Sequence, residues 1–445
     1  MSRRQRRNRL PPDPVVVQVS GLSHEGLGIA AVEGKKVFIH GALPGETVRY
    51  ITTGRRRDFD QGDVVEVLEP SPDRVEPRCE FFGRCGGCCL QHLSPQAQLR
   101  EKQQHLLEGL KRLGQVEPDE VYEPLLGPHW NYRRKARLAV KQVHGKGRVL
   151  IGFRERRSPY VADMTQCEVL DARVASLLQP LSALVGGSSI PDRIPQIEVA
   201  AGDEHVALVF RVLTEPTEDD RSAFQAFGRD HNVQIYLQPG RPDALVPLEP
   251  DYPPLCYELP SSDVTIGFSP TDFTQVNAQI NRQMVARALA LLDCSTDSRV
   301  LELFSGLGNF TLPIARRAGH VVAVEGDKAL VAKGQENAAR NGIENVEFHY
   351  ADLYDSAQLQ NPVWMNGGFD AVLLDPPRSG AREVLPLVTQ SGAARVVYVS
   401  CHPATLARDA QILVHELGYR LAGTGVMDMF PQTHHVEAIA CFERH

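Results

Sequence analysis

The sequence predicts an α/β protein whose C-terminal part is a doubly wound parallel sheet, joined to a small N-terminal β-barrel through an α+β region. Three observations carry this. From Ser298 onward, apolar runs of strand length alternate regularly with helical stretches, the pattern of parallel strands with crossover helices. Between residues 15 and 68, short β runs are separated by glycine turns, which fits a small barrel of the OB kind. And 445 residues are too many for one ordinary core.

Residues 1–13 are basic and then proline-rich, the composition of a disordered arm. Strands are expected over 15–19, 28–32, 36–39, 46–51 and 63–68, closing a barrel domain over 14–76. The proline-rich stretch 70–77 reads as a linker, since proline breaks helices and central strands alike. A central domain is expected over 77–265. It opens with a cysteine cluster and then a helix over 96–113 that docks on the C-terminal domain. Leu99, Leu106, Leu107, Leu110 and Leu113 would form the helix's apolar face. In the C-terminal domain, 266–445, strands are expected over 300–304, 321–325, 346–351, 371–375 and 396–400, then 419–427 and 436–442.

Apolar residues make up 42% and charged residues 23%, ordinary for a globular protein. No apolar run is long enough to span a bilayer, so a cytoplasmic address is expected. Nine cysteines, four of them within 79–89, suggest a metal or cluster site in a reducing compartment, not a disulfide framework. A net charge of −7 excludes a uniformly basic coat. Arginine clumps at 3–9, 55–57, 133–137 and 154–157 nevertheless offer local contacts for phosphates, so RNA is the expected partner. Nothing suggests more than a monomer.

All residues suspected of chemistry fall at strand C-terminal ends, where open α/β sheets bind their ligands. Glu302-x-x-x-Gly306-x-Gly308-x-Phe310 ends one strand and opens a helix. Its glycines let backbone approach a ligand closely. Glu325 ends the next strand, where a carboxylate can accept both ribose hydroxyls; Asp352 ends the third and would face an adenine amino group. Phe310-Thr311 after Asn309 breaks the dinucleotide fingerprint and favours an S-adenosylmethionine loop. Asp375-Pro376-Pro377-Arg378 ends the fourth strand, and Ser400-Cys401-His402-Pro403 follows the fifth. A thiolate adding at C6 of uracil turns C5 into a carbon able to accept a methyl group, and a base must then remove the C5 proton. Glu437, at the start of the last strand, is the candidate base.

These motifs make the C-terminal half closely similar to the class I (Rossmann-like) methyltransferases that form 5-methyluridine in RNA. His24-Glu25-Gly26-Leu27-Gly28 and Gly41-Ala42-Leu43-Pro44-Gly45-Glu46 resemble the TRAM domain, a small RNA-binding barrel. The whole chain resembles the branch of that family acting on 23S rRNA. The resemblance implies S-adenosyl-L-methionine as methyl donor, Cys401 as nucleophile and Glu437 as proton acceptor. It also implies cofactor contacts from Gln275, Phe304, Asn309, Glu325, Asp352 and Asp375. His402 departs from the asparagine usual in the family, and Thr271-Asp272 from a more apolar stretch.

Cys79-x5-Cys85-x2-Cys88 supplies three thiolates, with Cys167 as a fourth from a distant segment. Such a set suits zinc or an iron–sulfur cluster, and spacing does not decide between them. The resemblance implies a [4Fe–4S] cluster on these four, in a structural or RNA-positioning role. Competing readings are the same reaction on another 23S rRNA uridine or on the tRNA T-loop, and an RNA-binding assembly factor without activity.

Overall fold

The computed structural model describes residues 13–241 and 244–444. The arm expected over 1–13 thus lies, but for Asp13, outside the described residues. The chain forms two compact units, one of residues 1–102 with 432–435 and one of 103–431 with 436–445. The boundaries drawn from the sequence at 76/77 and 265/266 fall inside these units.

In the first unit, six strands form one sheet in the order Val15–Gln18, Thr47–Arg55, Phe59–Glu69, Lys35–His40, Gly28–Val32, Gly21–Leu22. Alternating residues face its core, with Val19, Val37, Ile39 and Val48 at most 1% exposed, as period-two patterning requires. Gly41 and Gly45 take positive φ, and between them the chain turns onto Glu46. Glu46 is fully buried. Its carboxylate accepts the amides of Leu43 (2.8 Å) and Ser71 (3.2 Å) and both the Nε (2.5 Å) and an Nη (2.8 Å) of Arg74. The stretch 70–77 is therefore no free linker. Arg74 also donates to Gly41 O, and the Val75 amide donates to His92 O.

The expected helix over 96–113 runs as α-helix only over Pro95–Gly109 and continues as a wider π-type turn, Leu110–Gly114. The extra residue in that turn rotates the following side chains off the buried stripe. Leu106 and Leu110 are fully buried, whereas Leu113 is 60% exposed. Gly114 seats this turn against the helix Pro403–His415, where any side chain at Gly114 would meet Ala407 O at 2.6 Å.

The second unit holds two sheets and a hairpin. A six-stranded mixed sheet contains Lys135–Val143, Gln196–Ala201 and Val206–Val212 at its centre. The larger sheet has eight strands in the order Val346–Tyr350, His320–Glu325, Arg299–Leu303, Ala371–Leu374, Arg395–Ser400, Glu437–Arg444, Tyr419–Met427, Glu120–Val121. The first five are mutually parallel, and Glu437–Arg444 is antiparallel to both its neighbours. Val300, Val321, Val372 and Val396 are fully buried, the mark of strands covered on both faces. Later strands are added on opposite sides of Arg299–Leu303, His320–Glu325 on one and Ala371–Leu374 on the other, so a switch point opens at its C-terminal end.

The Glu46 carboxylate is held low. Burial alone would raise it, but the Arg74 hydrogen bonds and the Leu43 and Ser71 amides outweigh that. A carboxylate ionised more readily folded than unfolded stabilises above its unfolded pKa of about 4, and the gain is lost as pH falls through its folded value. Glu46→Ala, which leaves Arg74 without its partner, is expected to destabilise the first unit by about 3–5 kcal/mol. Urea unfolding at pH 7 checks this, and the difference from wild type should shrink on acidification below about pH 4.

Candidate active site

The strand Arg299–Leu303 delivers Glu302 and then bends sharply. Phe304 takes a positive φ of 69°, followed by Gly306 at 55° and Gly308 at 93°. Non-glycine residues seldom adopt such backbone, and it clusters at ligand sites. The helix that follows is short, Thr311–Ala315. Glu325, leaving the adjacent strand, accepts the Gly306 amide on one oxygen (2.9 Å) and the Asp327 amide on the other (3.0 Å). Each oxygen keeps lone-pair capacity for a further donor. Asn309 is fixed by the Tyr257 hydroxyl (2.8 Å) and by a reciprocal amide pair with Asn281 (2.9 Å each way). Asn281 lies in the helix Ala278–Leu292, which half-buried Gln275 precedes.

Asp352 stands exposed two residues past its strand, beside Glu325, whose carbonyl accepts the Ala351 amide (3.1 Å). Its carboxylate accepts the Tyr354 amide (2.9 Å), and the Tyr354 ring lies 5.9 Å from that of Phe304.

Around this loop the interior holds several polar atoms without partners: both oxygens of Glu302 and the hydroxyls of Ser305 and Thr311. Buried polar groups are normally satisfied. Such a concentration at one strand end, beside Gly306, where a Cβ would meet nothing within 4 Å, is what a cradle for a polar ligand looks like. The donors and acceptors present fit a nucleoside bearing an amino-acid tail.

Asp375 directly follows its strand, and Cys401 directly follows Arg395–Ser400. Glu437 opens the neighbouring antiparallel strand and is 3% exposed. The charges of Glu437, Asp375 and Arg378 all act on the Cys401 thiol, so the fold brings these four groups together. Burial, followed by the two carboxylates, pushes the thiol up to about 11, while Arg378 opposes them. Burial likewise raises Glu437 to about 8 and Asp375 to about 7. A base that titrates near neutrality is well matched to proton abstraction.

Two residues that sequence reasoning passed over, Asp409 and Tyr354, hold this geometry. Asp409, fully buried, accepts the Tyr398 hydroxyl and the Ala381 amide (2.7 Å each) and Arg408 Nε (2.8 Å). It thereby ties the strand bearing Cys401 to the loop after Asp375. The Tyr354 hydroxyl bonds Ser379 Oγ (2.7 Å) and Gly380 O (2.9 Å) on that same loop. His402 Nδ1 accepts the Thr405 amide (3.4 Å) and caps the helix Pro403–His415, which gives the departure from asparagine a physical role. Glu302 was visible only as part of a loop pattern. An acidic residue inside an apolar strand, and an Asp among Leu406, Ala410 and Leu413, were the available signals.

The basic clumps divide. Arg55, Arg56 and Arg57 are exposed. In the 133–137 clump, Arg134 is paired with Asp203 and Lys135 with Glu198 (3.1 Å), so these two charges are used internally and are not presented to phosphate.

Known proteins resemble this chain along its length. Residues 15–50 match the TRAM domain model, and residues 94–445 match the model for tRNA (Uracil-5-)-methyltransferase. The chain is 56% identical to the 23S rRNA (uracil(1939)-C(5))-methyltransferase RlmD of Alkalilimnicola ehrlichii, over 99% of this chain and 98% of that one. It is 50% identical to the protein of the same name from Methylococcus capsulatus, over 100% of both. Among solved structures it resembles Pyrococcus abyssi tRNA (uracil-54, C5)-methyltransferase in complex with S-adenosyl-L-homocysteine. The TM-score is 0.73 at 23% identity, covering 96% of this chain and 100% of that one, a likeness of fold. With its model matched over most of the chain and relatives of this identity along the whole length, the protein belongs to the RNA uracil-C5 methyltransferase family that this model describes.

Proposed function

We propose that this protein methylates C5 of a uridine in 23S rRNA, at the uracil its named relatives modify, as a cytoplasmic monomer. The observation that carries the reading is the meeting of Cys401, Glu437, Asp375 and Arg378 beside a loop with unsatisfied buried polar groups. Whole-length similarity to 23S rRNA enzymes favours rRNA over the tRNA T-loop. A factor without activity would have no use for a nucleophile and a base held together.

The bound cofactor, S-adenosylmethionine, supplies an electrophilic methyl on a sulfonium. Glu325 would hold the ribose, Asp352 the adenine amino group, and Gln275, Phe304, Asn309 and Asp375 the remainder. A target uridine must leave its stack to reach such a pocket. Cys401 adds at C6 as thiolate, which makes C5 the carbon that takes the methyl. Glu437 then accepts the C5 proton; the electron pair left behind restores the C5–C6 double bond and expels Cys401.

For the cysteine cluster the donor set fits a thiolate-bound centre. Cys79, Cys85 and Cys88 lie on a run of turns, the Gly87 amide points at Cys85 Sγ (3.4 Å), and the charge of Cys79 reaches Cys85. Among the described residues, no three His, Cys, Asp or Glu side chains are gathered as a metal cage. We assign these three thiols, with buried Cys167, to a [4Fe–4S] cluster that shapes the RNA-binding part and takes no part in methyl transfer. No described helix is long and apolar enough to cross a membrane.

Mass spectrometry of 23S rRNA from cells with and without the gene tests the function; one uridine should gain a methyl only when the gene is present, and an unchanged map would refute it. Glu437→Gln should accumulate a methylated RNA–protein adduct that survives denaturation, whereas Cys401→Ala should form none. The same Gln variant removes a negative neighbour from Cys401. Its iodoacetamide labelling, followed on the Cys401 peptide, should therefore begin at lower pH than in wild type. Anaerobically purified protein should contain about four irons per chain, and zinc in their place would refute that assignment.

A further inference from the structure

Glu302 takes no part in the chemistry above, yet it occupies the most demanding position in the sheet. It is 0% exposed and neither of its oxygens has a hydrogen-bond partner. The groups facing it are Asp375 from the strand on one side, Glu325 from the strand on the other, and the Thr311 hydroxyl from the helix after the loop. Thr311 eases the burden without closing a hydrogen bond. Beyond Asp375 stand Cys401, Glu437 and the cation Arg378. An ionised carboxylate buried without a partner is strongly disfavoured and takes up a proton instead, unless a cation reaches it. Burial raises Glu302 to about 8 and Asp375 to about 7, so at neutral pH Glu302 mostly keeps its proton and Asp375 keeps one about half the time while the site is empty.

Resting on the reading that the cofactor binds at this loop, we propose that Glu302, coupled to Asp375, is the proton-exchanging counter-ion of the cofactor's sulfonium. Glu302 gives up a proton when the sulfonium form binds. It regains its affinity for one when methyl transfer leaves a neutral thioether. The balance closes. The methyl leaves sulfur as its bond to C5 forms, and the site loses one positive charge. The C5 proton passes to Glu437, and the electron pair released from the C5–H bond re-forms the double bond as Cys401 departs. Losing the cation makes every carboxylate of the connected set more basic, at the step where Glu437 must hold a proton. Glu302 is thus a positioning residue that acts on Glu437 through charge, relayed by Asp375.

Isothermal titration calorimetry of the full-length protein at pH 7, in buffers of different ionisation enthalpy, tests this. S-adenosylmethionine and S-adenosylhomocysteine share their adenosine and amino-acid parts, so a difference in proton release isolates the sulfonium. S-adenosylmethionine should release more protons, by up to about one, and its affinity relative to S-adenosylhomocysteine should rise by up to about tenfold per pH unit between about pH 6 and 8. Glu302→Gln should abolish both the difference and its pH dependence. Sinefungin, with an ammonium in place of the sulfonium, should behave like S-adenosylmethionine on the unmutated protein, which keeps the test open if the variant does not fold. Equal proton release by all three ligands, or an unchanged difference in folded Glu302→Gln, would overturn the proposal. Binding by none of the three would overturn the cofactor reading and this inference with it.

Discussion

Carboxyl groups buried at one end of a mostly parallel sheet are the constraint to which the rest of the domain answers. Glu302, Asp375 and Glu437 reach one end of the sheet with little or no solvent. Water cannot share their charge there, so each either keeps a proton or finds a cation. The consequence is a site whose acid–base strengths lie near neutrality. Had these groups been exposed, they would be permanent anions and poor bases.

Holding such a site open requires a rigid surround, and much of it is polar. Asp409 serves a strand and a loop at once, so the position of Cys401 and that of the loop after Asp375 are set by one carboxylate. Tyr354 extends the arrangement to the cofactor side, with its amide on Asp352, its ring beside Phe304 and its hydroxyl on the loop bearing Arg378. Gly380 lies where any side chain would strike Arg408 and Asp409 and takes a φ of 84°, so the loop can close onto its clamp only as glycine.

Much of this was legible in the sequence, for physical reasons. Buried parallel strands are continuous apolar runs, so Val321–Val324 or Val396–Val399 announce themselves, and a strand end marks where Glu325, Asp375 and Cys401 must emerge. The partners that hold them were not legible, because they are joined across the fold. Glu46 and Ser71, or Tyr354 and Gly380, lie 25 and 26 residues apart, and no local pattern connects them. The 133–137 clump misled for the same reason. A run of arginines shows how much charge is present, but Asp203 and Glu198 decide where it goes. The π-type turn at Leu110–Gly114 escaped because one added residue changes the phase of a helix without changing its composition.

The high resting pKa of Cys401 has a bearing on how such a protein survives between encounters with its substrate. Peroxide attacks thiolates, not thiols, and the step from sulfenic to sulfinic acid is irreversible for most proteins. With Asp375 and Glu437 beside it, and burial pushing it up to about 11, the sulfur rests in its protonated form. Oxidative damage is thus suppressed chiefly by the burial that shapes the site.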